Sequence, residues 1–365
     1  MLTRRELLKL GAFTLAATRV PRIFAEKTST KTILILGGTG FLGPPVVERA
    51  LERGHTVTLF NRGKSNADLF PGVEKIRGDR EHGDLGGLTN DRRWDVVIDV
   101  WANDPAVVVP MANLLAKRTD YYHFVSSIAA YANYSKIGMD ETAPTRTDRP
   151  GYGGNKARSE KALTDLLGHR AGICRPCAIM GPRDESLSYH YWLSHLAKDQ
   201  EFLAPGTGDD AFAQYVDVRD VANWMVDCAE QARPGIYNTV SEPLVFRTFL
   251  SESASGIGGK GKPVWVSGDY LREQHVKTFD NMPYWNPDRP GFERISPAKA
   301  RAAGFTTRPL KDTAKDAWAT YQKIVPPDLV YPQKQYDFEW GISPEREHDI
   351  LVAWKEKMPG KSSVP

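Results

Sequence analysis

Residues 33–43 read Ile-Leu-Ile-Leu-Gly-Gly-Thr-Gly-Phe-Leu-Gly, and this stretch constrains the fold more than any other. Four apolar residues without alternation suit a parallel strand covered on both faces. Glycines follow at 37, 40 and 43, and Val46–Arg53 reads as a helix. Pro44 and Pro45 belong in its first turn, where no N–H partner is lost, which puts the helix start near Phe41. Strand, glycine turn and helix together offer free backbone N–H groups and a positive helix end to a pyrophosphate. A turn serving only packing is the competing reading. The flanking strand and helix favour the phosphate cradle, as does Asn61 at the expected end of a second strand.

The remaining sequence predicts strands at 31–36, 55–60, 73–77, 95–100, 122–126 and 172–179, with helices at 105–118 and 152–167 between them. That alternation specifies an α/β fold, a Rossmann-type doubly wound parallel sheet. After Pro182 the pattern changes. Asp220 reads as the N-cap of a helix to Gln231, and 235–240 as one more short strand. Segments 183–211 and 241–325 read as a smaller, irregular C-terminal substrate domain. The dinucleotide-binding domain would then be 31–182 plus about 212–240, with 326–365 a C-terminal extension carrying a terminal helix.

A chain of 365 residues, 41% hydrophobic and 25% charged, is ordinary for a globular protein. The net charge of +3, with no basic cluster, argues against a nucleic-acid partner. Cys174, Cys177 and Cys228 are too few for a disulfide framework. Cys174 and Cys177 sit three apart in an apolar strand, on opposite faces, and read as buried rather than redox-active or metal-binding. The histidines lack metal-ligand spacing, so no metal is expected.

Thr3-Arg4-Arg5-Glu6-Leu7-Leu8-Lys9 precedes a short apolar run, Leu10–Ala17, and then Arg19 and Arg22. The run is too short to cross a bilayer, so no stable membrane anchor is expected. The segment resembles a twin-arginine export signal, with a cut after Ala25 and residues 1–30 acting as signal and linker. That implies the export machinery as a partner and a periplasmic location. A basic amphipathic helix is the alternative.

Tyr152 and Lys156, four apart on a predicted helix, share one face. A phenol of ordinary pKa near 10 is a poor base at neutral pH, and a neighbouring ammonium favours its ionised form. Ser127, at the end of the fifth strand, can polarise a carbonyl or hydroxyl beside it. The three form a constellation for moving a proton while a hydride moves to nicotinamide. A solvated helix face is the bland alternative for Tyr-x-x-x-Lys.

With these residues in place, the chain resembles the extended short-chain dehydrogenase/reductase, or NAD-dependent epimerase/dehydratase, superfamily over roughly 31–320. The resemblance rests on Gly37–Gly43, Gly78-Asp79, Ser126-Ser127, Tyr152-Gly-Gly-Asn-Lys156, Arg175-Pro176 with Gly181-Pro182, and Val216-Asp-Val-Arg-Asp220. It implies Tyr152 as acid/base, Lys156 on the nicotinamide ribose, Ser127 on the substrate, and Asp79 on the adenine amino group. The cofactor positions are then Gly37, Gly40, Phe41, Leu42, Gly43, Asn61, Arg62, Asp79, Arg80 and Lys156. Members that bind NAD usually carry an acid where Asn61 stands. With Arg62 and Lys64 beside it, the cofactor expectation is NAD or NADP, leaning to NADP and tightly held.

Trp101 and Ala178 stand where nucleotide-sugar epimerases carry other residues, which points to a different carbohydrate-like substrate. His190, Trp192, Tyr189, Tyr191, Tyr284 and Trp285 are aromatic candidates for a sugar-binding wall, although core packing is the safer reading of any one of them. An exported enzyme has no nicotinamide pool to draw on. The expectation is therefore an epimerase-like reaction on a sugar, glycoside or polyol that returns its own hydride. The alternatives are an NADP-dependent carbonyl reductase and a non-catalytic RNA-binding member, which Leu59–Lys64 also resembles. A homodimer is possible within this family.

Overall fold

The structure is a computed structural model describing residues 29–100, 104–335 and 337–358. The twin-arginine motif and Trp101 lie outside these residues.

The apolar run forms β1 (Thr32–Leu36), near the middle of a seven-stranded parallel sheet. The other strands are β2 (Thr56–Asn61), β3 (Glu74–Arg77), β4 (Trp94–Asp99), β5 (Thr119–Val125), β6 (Ala171–Pro176) and β7 (Gly235–Thr239). Their order is β7-β6-β5-β4-β1-β2-β3, every pair parallel. Ile33 and Ile35 pack into the core on one face, Leu34 and Leu36 into that on the other. Two covered faces explain the missing alternation. The chain winds outward in both directions from β1 and β4, so a crevice opens at the carboxyl ends of these two strands.

Helices α1 (Gly43–Glu52), α2 (Pro105–Leu115), α3 (Tyr152–Leu167), α4 (Leu187–Leu196) and α5 (Val218–Gln231) follow in order, then α6 (Phe246–Ile257), α7 (Leu310–Ile324) and α8 (Pro344–Lys357). α1 packs with α5 and α2 with α3. Pro44 and Pro45 occupy the first turn of α1, which starts at Gly43, slightly later than expected. The sixth strand is shorter than its sequence suggests. It ends at Pro176, and Ala178–Met180 pairs instead with Tyr215–Asp217. Cys174, Cys177 and Cys228 are buried and free.

Asp220 does not cap α5. Asp217 does, its carboxylate accepting from the Arg219 N–H at 2.8 Å. Asp220, one turn in, instead accepts from the Arg308 N–H at 2.8 Å and Nη2 at 2.7 Å. The buried Asp217 also takes Arg219 Nη2 and Thr313 Oγ1, both at 2.8 Å. Arg219 reaches on to Asp316 at 2.5 Å. The Val216–Asp220 motif thus ties the start of α5 to α7 and to the segment that leads into it.

A second core collects α4, α6, α7 and the parallel pair Glu201–Pro205/Lys262–Val266. Residues 326–358, read from sequence as an extension, supply Tyr331, Trp340, Ile342 and Ile350 to this core. Ile295, Ala300 and Phe305, assigned by sequence to the smaller domain, pack on the sheet side.

Candidate active site

Three glycine positions show how the first turn is built. A Cβ on Gly43 would lie 2.5 Å from the Gly38 backbone, so only glycine lets α1 start against the loop. A Cβ on Gly40 would meet nothing within 4 Å: it faces the open crevice. The α1 N-terminus at Leu42 has no side-chain cap, leaving backbone donors for an anion. Residues 37–43 line one cavity with Asn61, Arg62, Lys64, Asp79, Arg80 and Val100. An unencumbered second glycine over uncapped N–H groups fits a pyrophosphate.

Several side chains in this cavity have other tasks than the sequence suggests. The Asn61 amide donates to Gly37 O at 3.1 Å and its oxygen accepts from Gly63 N–H at 2.9 Å. It braces the loop, and a carboxylate could not make the Gly37 bond. Arg62 pairs with Glu81 at 3.3 Å and remains half-exposed. Asp79 caps the following turn through Glu81 N–H and meets His82 Nδ1, each at 3.1 Å. Arg80 forms two 2.8 Å bonds to Asp99, so its guanidinium is engaged in the wall.

The second group stands at the end of β5. Ser126 is buried, its hydroxyl bonded to Glu160. Ser127, half-buried, heads the turn Ile128–Ala130 and accepts from Ala129 N–H at 3.1 Å. Tyr152 opens α3, 51% exposed, near enough to Ser127 for that side chain to favour its ionised form. Glycine at 153 makes this approach possible, because a Cβ there would lie 2.1 Å from Ala129 O. Lys156 is 3% exposed, donates to Val125 O at 2.7 Å, and its Nζ lies 5.8 Å from the centre of the Tyr152 ring. The sheet order puts β5 next to β4, on the side away from β1. The three residues therefore extend the crevice beyond the glycine cavity rather than lining it.

Desolvation holds the Tyr152 pKa above its ordinary value, with Ser127 pulling the other way. Burial lowers Lys156 to about 8, with Asp99, Cys174 and Glu160 pulling the other way. Asp99 is fully buried and also accepts from Tyr122 Oη at 2.9 Å. Glu160 is clamped by Arg175 at 2.9 and 2.6 Å. Asp99 and Glu160 were missed from sequence, and Arg175 was noted only within the Arg175-Pro176 motif. Their signal was an acid or an arginine inside an apolar run, Val-Val-Ile-Asp99 and Ile-Cys-Arg175.

A second cavity of about 360 Å³ is walled by Phe212, Trp285, Arg289, Glu293 and Arg294. The segment after its Pro290 wall is tied to the chain following β5, Gly291 N–H donating to Tyr134 O and Tyr134 Oη to Ile128 O. Arg294 lies 4.4 Å over Phe212. Buried Glu293 accepts from Gln214 N–H and Asn286 Nδ2, both at 3.0 Å, and burial pushes its pKa up to about 8.

His190 and Trp192 are not at either cavity. Both are buried in the second core, where His190 Nδ1 meets Tyr331 Oη at 2.8 Å and Trp192 Nε1 donates to Pro283 O at 2.9 Å. Tyr189, Tyr191 and Tyr284 share that core, and Trp285, though just as buried, reaches the edge of the second cavity. Ala178 is half-buried on its short strand and walls neither cavity. Among the described residues, no group of three His, Cys, Asp or Glu side chains is placed to hold a metal.

The chain is 26% identical over 259 residues to the chloroplast stem-loop binding protein of 41 kDa b of Arabidopsis thaliana, covering 66% of this chain and 67% of that protein. It is 24% identical over 255 residues to 2-alkyl-3-oxoalkanoate reductase of Stenotrophomonas maltophilia, covering 62% and 76%. A 28% identical match to UDP-glucose 4-epimerase of Neisseria meningitidis spans 37% of this chain and about half of that enzyme, 48%. Among solved structures, the Bordetella bronchiseptica enzyme WbmH in complex with NAD+ matches with a TM-score of 0.63 at 17% identity, covering 81% of this chain and 99% of that one. The model of the NAD dependent epimerase/dehydratase family matches residues 33–239, more than half of the chain and the whole sheet from β1 to β7, and the protein belongs to that family.

Proposed function

We propose that the protein is a nicotinamide-dependent oxidoreductase or epimerase acting on a sugar, glycoside or related polyol. The observation that carries this reading is the convergence of Ser127, Tyr152 and Lys156 in the crevice that continues from the glycine turn. Residues 37–43, Asn61, Arg62 and Asp79 would hold the dinucleotide, and bound nicotinamide would supply reversible hydride acceptance. Tyr152 Oη would move the proton at the substrate oxygen, and Ser127 Oγ would hydrogen-bond that same oxygen. Charge on Lys156, close under the Tyr152 ring, would favour the phenolate. The second cavity falls within the size of small-ligand sites and has room for the remainder of the substrate.

Arg62 and Lys64 beside a neutral Asn61 support NADP over NAD. The twin-arginine motif, if it directs export, favours a redox-neutral reaction that returns its hydride. The test is denaturation of the purified protein and mass analysis of any released nucleotide. Retained NAD or NADP supports the reading; a protein that neither carries nor binds either one overturns it.

Similarity to the Stenotrophomonas reductase favours a second reading, an NADPH-dependent carbonyl reductase. Steady NADPH consumption with a ketone or aldehyde, without epimerisation, would establish that reading over the first.

A further inference from the structure

Two asparagine amides hold the glycine turn by its carbonyls. Asn61, the last residue of β2, donates Nδ2 to Gly37 O at 3.1 Å, and Asn66 donates Nδ2 to Thr39 O at 2.9 Å. Both bonds end on carbonyl oxygens, so neither consumes an N–H that an anion would need. The residues between these two anchors, Arg62, Gly63, Lys64 and Ser65, wall the same cavity as the glycines. Asn66 itself is not part of that wall. Residues 62–66 thus run along the nucleotide cavity as a strap, fastened at both ends to the turn on its other side.

The two fastenings differ in strength. Asn61 is locked in the sheet opposite Arg77 of β3, and its side-chain oxygen also takes the Gly63 N–H at 2.9 Å. Asn66 is exposed, on a loop outside any strand or helix. Its backbone is left-handed (φ 43°), as is that of Phe70 (φ 57°). Asparagine tolerates that conformation and phenylalanine rarely adopts it, so contacts rather than local preference set the course of this loop. Phe70 packs on the sheet core, and Lys75 Nζ donates to Ala67 O at 2.9 Å. These contacts hold 67–70 in place and leave the Asn66 amide as the tie between the strap and the glycine turn. We propose that residues 62–66 gate the passage of the dinucleotide into and out of the glycine cavity, with Asn66 the positioning residue that keeps the gate shut. Tight retention then comes from the closed strap and not from contact between Asn66 and the nucleotide.

This inference rests on a nicotinamide dinucleotide occupying that cavity, but its test requires no turnover. The full chain is loaded with NADH or NADPH, and release is followed by stopped-flow fluorescence on chasing with excess oxidised nucleotide. Association is followed by mixing the free chain with the same nucleotides. Asn66→Gly removes the donor while keeping the left-handed backbone free of strain. It should speed release about three- to tenfold, the worth of one hydrogen bond. Asn66→Ala removes the donor and adds a backbone cost, so its effect should be at least as large. Entry uses the same opening, so association should quicken with release and Kd should barely move. A residue that merely shapes the cradle would instead weaken Kd in step with release, with association unchanged or slower. That pattern, or an unchanged release rate, overturns the proposal, and if one variant does not fold the other decides. A wild type that binds neither nucleotide overturns the functional reading together with this one. Variants that bind nucleotide and release it at the wild-type rate overturn this one alone.

Discussion

Gly40 and Gly43 are three residues apart in one loop, yet alanine at each should fail for a different reason. At Gly43 the added Cβ would sit 2.5 Å from two Gly38 backbone carbons, where ordinary contact begins at 3.4 Å. Backbone on both sides leaves no side chain to swing away, so α1 must retreat by about 0.9 Å, the difference between those distances. Overpacking of this kind costs about 1–3 kcal/mol, and a domain of this size loses a few degrees of Tm per kcal/mol. At Gly40 the Cβ enters open space and the backbone has no positive φ to strain. Gly40→Ala should leave stability within about 0.5 kcal/mol, but the methyl occupies the approach of the phosphate. Nucleotide affinity should fall at least about tenfold, or 1.4 kcal/mol. Urea unfolding of the apo-protein and fluorescence titration with NADH and NADPH separate the two effects. If Gly40→Ala binds nucleotide as the wild type does, the cradle assignment fails; if Gly43→Ala is as stable as the wild type, the packing argument fails.

Tyr152→Phe should lower turnover by about 10²–10⁴-fold while leaving the unfolding midpoint and nucleotide affinity near wild type, since half of that side chain is open. Glu160→Gln should destabilise by about 3–5 kcal/mol, because it strips the charge partner from buried Arg175; chemical denaturation measures it. Glu293 and Asp184 have folded pKa values raised by burial to about 8 and about 7. Between the unfolded values near 4 and those raised values the native state holds more protons, so both groups make stability fall as pH rises through that window. Glu293→Gln should flatten the decline in Tm between pH 5 and 8, as calorimetry would show. Gly153→Ala, by forcing α3 away from the Ala129 carbonyl, should reduce kcat more than nucleotide affinity.

The sheet was legible because its signals are local: an apolar run closed by glycine, a proline pair at a helix start, a tyrosine and lysine one turn apart. The Val216–Asp220 motif was found, but its capping residue was misplaced by three. Which carboxylate caps and which binds Arg308 depends on α7, some ninety residues on. Trp192 and His190, for which core packing was the safer reading, lie in the core because α4 is buried on nearly every side. A helix enclosed all round carries aromatics everywhere, and in a one-dimensional reading that cannot be told from a binding wall. Asp99 and Arg80 went unread as a pair because the two acquire a joint meaning only when β4 lies beside β1, at the fold's change of direction.

Glu347 on α8 accepts from Leu203 N–H at 2.8 Å and meets His195 Nε2 at 3.1 Å, across about 150 residues of chain. During synthesis the sheet strands emerge long before this helix does. His195, the 201–205 strand and the aromatic face of α4 must therefore wait for α8 before their polar groups are satisfied. Long-range closure of this kind is slow and leaves apolar surface open meanwhile. The second core is thus the part of the molecule whose maturation a chaperone has most reason to shelter.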